Sequence, residues 1–206
     1  GKRGDTTVEV TTYRTEQYDP ESRKPEVEYG DSIHGDLSRR DFTVNSMALE
    51  LTGEKPLFID PYEGLVDLTK KILRTPGKPE DSFSDDPLRM LRAARFASQL
   101  NFEIAPEVIG AMKDMAKRLE IISAERIRDE ITKLLMSPQP RTGITVLVET
   151  GLAEIVLPEI PKLRLEVDEH HHHKDVYEHS ITVLEQAIEH EDRLGGPNLV
   201  IRLAAL

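Results

Sequence analysis

The spacing of apolar residues changes part-way along the chain. Before residue 75, short segments alternate apolar with polar residues, which is typical of strands that bury one face. The predicted strands lie at 6–14, 27–29, 39–49, 57–59 and 71–74. Residues 14–26 are polar and contain two prolines, so we predict a loop there. Asp60-Pro61 followed by Gly64 predicts a turn at 60–68.

From residue 84 onward, apolar residues recur every three or four positions, which indicates helices. Asp86 before Pro87 is typical of a helix start, because aspartate caps free backbone N–H groups and proline fits the first turn. Strands followed by helices predict an α+β protein. The predicted helices lie at 84–97, 105–118, 123–136, 141–150, 152–157 and 177–191, and a last one begins at 199.

Composition narrows the class of protein. With 206 residues, of which 38% are hydrophobic, the chain can form one or two domains with real cores. It contains no cysteine, which excludes disulfides and thiolate metal sites and fits a reducing cytoplasm. No apolar run approaches the length of a membrane span. The net charge of −11 argues against a wholly electrostatic nucleic-acid binder. Both ends look like cuts, so we expect a fragment of a longer protein.

The predicted strand at 39–49 begins with two arginines and an aspartate, Arg39-Arg40-Asp41. Guanidinium groups fork onto phosphate oxygens, and aspartate can hold a hard cation, so the sequence predicts a phosphate and metal site. On a strand, Arg39 and Arg40 would point to opposite faces, and only one of them would bind phosphate. Asn45 would bond a ribose or a backbone group. A solvated ionic patch is the alternative.

Asp86 and Arg89 combine a hydrogen-bond acceptor with a planar donor. Side by side they would match the edge of cytosine or adenine, because the carboxylate accepts from an amino group and the guanidinium donates to ring acceptors. Uracil and guanine would leave those groups unpaired. The alternative is a helix cap, Asp86, that pairs with Arg89. Arg92 and Arg95 would steady this pair or contact RNA phosphate.

The predicted helix at 123–136 has charged residues three or four positions apart, a spacing at which ion pairs form along one helix. We predict that these residues mainly brace the helix that carries Asp86. They are Glu125, Arg126, Glu130 and Lys133.

Five motifs in a fixed order resemble the class II tRNA nucleotidyltransferase and bacterial poly(A) polymerase family. The tail from His170, including the run 170–173, resembles the start of an HD domain, in which His179 would be the first metal-binding histidine. The five motifs are Glu9 to Arg14, Arg39 to Asn45, Asp60 to Leu68, Asp85 to Arg89 and Glu125 to Glu130.

The resemblance implies a division of the chain and an activity. Residues 1–76 would be part of a polymerase-β-like palm, 77–140 a helical neck for base recognition and RNA binding, 141–168 a helical body, and 169–206 the start of an HD domain. The implied activity is Mg²⁺-dependent transfer from ATP and CTP to an RNA 3′ end. CCA addition to tRNA is our first expectation, and poly(A) addition is the alternative.

The resemblance also implies catalytic carboxylates. The family's Asp-x-Asp pair, which holds two magnesium ions, has no match before Glu9, so we expect the chain as printed to be inactive. Asp41 or Glu9 would supply a third carboxylate, and we favour Asp41 because it adjoins arginines suited to a triphosphate. A module that only binds RNA or nucleotide is the alternative of a different class.

Overall fold

The structure, a computed structural model, describes residues 2–3, 6–7, 14–17, 26–29, 32–165 and 176–206. Within these ranges it contains eight short strands and eleven α-helices, with 3₁₀ turns at Thr43–Asn45, Ala116–Ile121, Leu163–Leu165 and Glu191–Leu194. The strands are β1 (Lys2–Arg3), β2 (Thr6–Thr7), β3 (Arg14–Gln17), β4 (Glu26–Tyr29), β5 (Ala48–Glu50), β6 (Leu57–Ile59), β7 (Ile72–Leu73) and β8 (Glu103–Ile104).

The helices dominate from residue 64 onward, which is earlier than the predicted change to helices at residue 84. The longest in the described ranges, α10, has 14 residues, and none there is long and apolar enough to cross a membrane. The helices are α1 (Ile33–Ser38), α2 (Gly64–Lys70), α3 (Pro79–Asp85), α4 (Leu88–Leu100), α5 (Pro106–Met115), α6 (Ala124–Leu135), α7 (Pro140–Glu149), α8 (Ala153–Val156), α9 (Glu159–Lys162), α10 (Val176–Glu189) and α11 (Leu199–Ala205).

The described strands pair two by two. β1 with β2, β3 with β4, and β5 with β6 are antiparallel, whereas β7 and β8 are parallel. A parallel pair needs a long crossover, and here α3 and α4 form it. Because β7 and β8 flank this crossover, the C-terminal end of α4 is fixed next to the strand-containing part of the chain.

α4 lies at the centre of the core. Met90, Ala93, Ala94 and Ala97 are at most 1% exposed, and their mostly small side chains let neighbouring helices approach closely. On α7, Gly143 lies directly against α4: its backbone N–H donates to the Ser98 hydroxyl at 2.8 Å. A Cβ atom at Gly143 would overlap that hydroxyl and the Ala94 carbonyl.

A buried ion pair anchors the C-terminal helices to the end of α6. Arg202 on α11 makes two hydrogen bonds of 2.6 Å to the carboxylate of Glu191. The same guanidinium donates to the carbonyls of Leu135 and Ser137 at 2.5 and 2.7 Å. A buried charge pair is tolerated when its remaining donors are satisfied, and here the last carbonyl of α6 and a carbonyl just after that helix satisfy them.

The fold confirms the predicted α+β class and corrects three predicted elements. The predicted loop at 14–26 is wrong at its start, because Arg14–Gln17 is a strand that pairs with Glu26–Tyr29. The predicted strand at 39–49 is wrong: the chain forms α1, a turn and a 3₁₀ segment, and only Ala48–Glu50 is a strand. The Ser46 hydroxyl donates to the Phe42 carbonyl, a local bond that competes with a strand ladder. A helix, α2, also begins within the predicted turn at 60–68, because the Asp60 carboxylate accepts from the first N–H groups of α2. Part of the predicted strand 6–14 lies outside the described residues.

The close crossing of α4 and α7 predicts that Gly143→Ala destabilises the chain. The added methyl group must displace packed atoms, which costs about 1–3 kcal/mol. The control is Gly110→Ala on α5, where a Cβ would meet nothing within 4 Å. This change should be neutral or stabilise by up to about 1 kcal/mol, through helix propensity alone. Urea unfolding of both variants measures the difference, and equal stabilities would contradict the packing described here.

Candidate functional site

A cleft of about 420 Å³ lies between the turn after α1 and the N-terminal ends of α4 and α6. Five arginines and two aspartates line it, so positive charge is concentrated there in a chain whose net charge is −11. Seven of its residues were predicted as site residues, and Leu88 and Arg126 are additional. The lining residues are Arg39, Arg40, Asp41, Asn45, Asp86, Leu88, Arg89, Arg92 and Arg126.

Asp41 is buried at one wall of the cleft, with 7% of its surface exposed. Its Oδ1 accepts from the backbone N–H of Phe42 at 2.9 Å and from the Asn45 side chain at 3.0 Å. Its Oδ2 accepts two hydrogen bonds from Arg92, one of them 2.8 Å from Nε. Burial raises the pKa of Asp41, but the Arg92 charge and these hydrogen bonds outweigh it and lower the pKa. The carboxylate is therefore held ionised.

Two aromatic rings lie beneath this ion pair. Phe42 is fully buried and meets Phe96 of α4 edge to face, with ring centroids 5.7 Å apart. The Arg92 guanidinium lies 5.5 Å from the centre of the Phe96 ring. Arg92 is thus held from two directions, by the Asp41 carboxylate and by an aromatic surface.

The turn that carries Asp41 is fixed from behind by α2 and β7. The Thr43 backbone N–H donates to the Arg74 carbonyl at 2.8 Å, and the Thr43 hydroxyl donates to the buried Asp67 carboxylate at 2.8 Å. Gly64 packs so close that a Cβ would overlap the Thr43 carbonyl. These contacts leave the Arg39-Arg40-Asp41 turn little freedom to move.

The alternative interpretation, a helix cap Asp86 that pairs with Arg89, is correct for the cap and wrong for the pairing. The Asp86 carboxylate accepts from the Leu88 N–H at 3.1 Å, which makes it the helix cap that the sequence predicts. Its second oxygen accepts from Arg126 of α6 at 2.9 Å. Arg89 instead donates to the Ser82 hydroxyl at 2.8 Å and to the Arg39 carbonyl at 2.5 Å. Both groups still line the cleft, each fixed by other neighbours.

The structure does not bring Arg95 to the cleft, in contrast to the prediction. Arg95 is 8% exposed and donates to Glu130 at 2.6 Å and to Gln99 at 2.7 Å. Positions three apart on a helix are offset by roughly 60° around its axis. Arg89, Arg92 and Arg95 therefore point in successively different directions, and Arg95 no longer faces the cleft. Glu130 therefore braces α4 through Arg95, as the sequence predicts for α6. Lys133 of α6 also donates to the Glu130 carboxylate.

The described residues do not fit the predicted magnesium site. The part of the chain that the structure describes contains no group of three or more histidine, aspartate or glutamate side chains able to hold a metal ion. Asp41 accepts four hydrogen bonds, from Phe42, Asn45 and Arg92, so both of its oxygens are engaged. Glu9 and the histidines at 170–173 lie outside the described residues. His179 is exposed on α10, and its predicted metal binding stays a prediction.

Comparison with known proteins defines the class of the chain. Residues 2–74 match the family model of the poly A polymerase head domain. Residues 101–163 match that of a probable RNA- and SrmB-binding site of polymerase A. The cleft combines residues of both segments, Asp41 and Arg126, with residues of α4 between them. The chain therefore combines a segment of the poly A polymerase head-domain class with a helical segment of the class found at the probable RNA- and SrmB-binding site of polymerase A.

Curated relatives narrow the class further. A CCA-adding enzyme of Lactobacillus johnsonii is 41% identical over 157 residues, which are 76% of this chain and 38% of that protein. A CCA-adding enzyme of Streptococcus mutans is 47% identical over 141 residues, 68% of this chain and 34% of that protein. The chain belongs to the family of the CCA-adding enzymes and poly(A) polymerases.

Solved structures show the same fold. The Bacillus stearothermophilus CCA-adding enzyme in complex with CTP has a TM-score of 0.66 and 33% identity, and the match covers 95% of this chain and 46% of that one. The Thermotoga maritima CCA-adding enzyme complexed with tRNA has a TM-score of 0.65 and 26% identity, with 84% and 40% covered. This chain thus spans less than half the length of these relatives. The predicted domain boundaries and HD domain stay predictions.

The lowered pKa of Asp41 predicts a dependence of stability on pH. Ionised Asp41 stabilises the fold above its ordinary pKa of 3.8, and this contribution is lost as the pH falls through the lowered value. Urea unfolding of the chain and of Asp41→Asn between about pH 7 and pH 3 measures it. The stability difference should stay constant down to about pH 5 and shrink below pH 4. A difference that does not depend on pH would contradict the assignment.

Proposed function

We propose that this chain is part of a CCA-adding enzyme, a template-independent nucleotidyltransferase that adds CMP and AMP to tRNA 3′ ends. The arginine-rich cleft is the observation that carries the proposal. Its position between the head segment and the RNA-binding segment suits a site where a nucleoside triphosphate meets an RNA end. A tRNA substrate also fits the predicted cytoplasmic location.

The triphosphate would lie against the arginines of the Asp41 wall. Arg40 is about half exposed and pairs with Asp36 at 2.7 Å, so its guanidinium is oriented yet open to solvent. Arg39 lines the same wall, and Arg92 faces it from α4. Each guanidinium can bind two oxygens of an anion, so these three arginines of the cleft favour a polyphosphate over a single carboxylate.

The base would be read by Asp86 and Arg89. The Asp86 carboxylate is fixed by the Leu88 N–H and Arg126, and Arg89 is fixed by Ser82 and the Arg39 carbonyl. A fixed acceptor and a fixed donor suit the amino group and ring nitrogen that cytosine and adenine share. Uracil and guanine present the opposite groups and would leave the site unpaired, which is the strongest basis for discrimination.

Magnesium would be bound outside the described residues. The family implies a divalent metal, but the described carboxylates do not form a site for it. Glu9, which lies outside the described residues, would be one carboxylate ligand of the magnesium ions. The family's Asp-x-Asp pair, which the printed sequence does not contain, would supply the others. The described residues would bind and orient the nucleotide.

Base selection is tested by measuring binding of CTP, ATP, UTP and GTP to the chain by titration calorimetry. The chain should prefer CTP and ATP. Asp86→Ala and Arg89→Ala should each remove hydrogen bonds of about 1–3 kcal/mol and so reduce the preference by about tenfold. Arg128→Ala is the control, because Arg128 is exposed and bonds only to its neighbour Asp129 among the described contacts. If the Asp86 and Arg89 variants keep the same preference for CTP and ATP, then Asp86 is only a helix cap and Arg89 only a structural brace.

The reaction itself is tested with the full-length protein and tRNA that lacks its 3′ CCA. Each labelled triphosphate is supplied separately and then in pairs. Incorporation of C followed by A is the expected result. Incorporation of A alone would identify a poly(A) polymerase instead, and nucleotide binding without incorporation would leave only a binding module.

A further inference from the structure

We propose that Asp41 is a positioning residue that aims Arg92 at the bound triphosphate, and that it is not a metal ligand. This inference rests on the proposed function, because it requires a nucleotide in the cleft. It replaces the sequence-based prediction that Asp41 is a catalytic carboxylate.

The hydrogen bonds of Asp41 leave little room for a cation. Four protein donors, two on each carboxylate oxygen, come from the Phe42 backbone, Asn45 and Arg92. A carboxylate offers about four lone-pair sites, so these donors use its capacity. A metal ion would have to displace Arg92 from a side chain that is 8% exposed, and would leave the guanidinium without its counter-charge.

Arg92, by contrast, remains able to bind a ligand. It gives Nε and one Nη2 hydrogen to Asp41, while a guanidinium has five N–H donors in a fixed plane. One third of its side chain is exposed, and it lines the cleft. The carboxylate on one edge and Phe96 below fix the direction of the remaining donors. Such pre-orientation spares the entropy that a mobile side chain loses on binding.

A second ion pair on α4 shows what a purely structural pair looks like. Arg95 lies one helical turn after Arg92 on α4 and pairs with Glu130 of α6, and their side chains are 10% and 5% exposed. Arg95 also contacts the Phe96 ring, at 4.1 Å from its centre. Neither of these two residues lines the cleft. In both pairs an arginine of α4 bonds a carboxylate and contacts the Phe96 ring. The pairs differ because only Arg92 lines the cleft.

The experiment measures CTP and ATP binding to the chain, first in EDTA and then with magnesium. Without metal, Asp41→Asn should weaken binding by about tenfold, because the Arg92 donors lose their orientation. Arg92→Gln should weaken it at least as much, and the double variant should be no weaker than Arg92→Gln alone, because the two residues act as a unit. Glu130→Gln, the control, should lower the melting temperature but leave affinity within about twofold.

Several results would overturn the proposal. If Asp41→Asn keeps full affinity in EDTA and loses only a magnesium-dependent gain, then Asp41 is a metal ligand. Additive losses in the double variant would show that Asp41 does not act through Arg92. If Asp41→Asn does not fold, Arg92→Lys decides, because lysine keeps the charge without the planar fork: wild-type affinity in EDTA would refute orientation. Failure of the unmodified chain to bind any triphosphate would instead refute the proposed function, and this inference with it.

Discussion

The ion pair between Asp41 and Arg92 determines how the two walls of the cleft are joined. A carboxylate that is 7% exposed is tolerated only with a counter-charge, because an unpaired buried charge costs several kcal/mol. The partner lies 51 residues away on α4, so the turn after α1 is held against that helix. On its other faces α4 is fixed by Gly143 of α7 and Glu130 of α6. The geometry of the cleft therefore follows from the packing of one helix.

The sequence predicts the chemistry of the cleft better than its local structure. Asp86 could be placed at the start of one helix, and Arg89 and Arg92 along it, because the proline, the cap and the apolar period agree there. Phe42 and Val44 alternate with polar residues, so the pattern at 39–46 predicts a strand where the structure has turns. The real conformation of this segment depends on burial of Phe42 against Phe96, a contact between residues far apart in the chain. Periodicity within a short segment carries no information about such a contact.

The charged face of α6 shows a similar limit. Spacing along α6 predicts pairs within that helix, and the bond from Lys133 to Glu130 is one. The more consequential partners are on α4 and just before it: Glu130 bonds Arg95, and Arg126 bonds Asp86. Arg126 and Glu130 are four residues apart, so they lie on one face. Asp86 just before α4 and Arg95 on it carry charges opposite to those of Arg126 and Glu130 on α6. This match of charges is the signal in the sequence that the two helices lie side by side.

The distribution of charge explains how an acidic chain can suit an anionic ligand. At physiological ionic strength the field of an exposed charge falls off within roughly 8 Å, so the local groups matter more than the net charge of −11. In the cleft, Arg40, Arg89, Arg92 and Arg126 each donate to an oxygen of the protein. These partners reduce the general attraction for phosphate and fix the directions of the remaining donors. A cleft of this kind selects a ligand by where its hydrogen-bonding groups lie, while the acidic remainder of the chain disfavours non-specific binding of RNA.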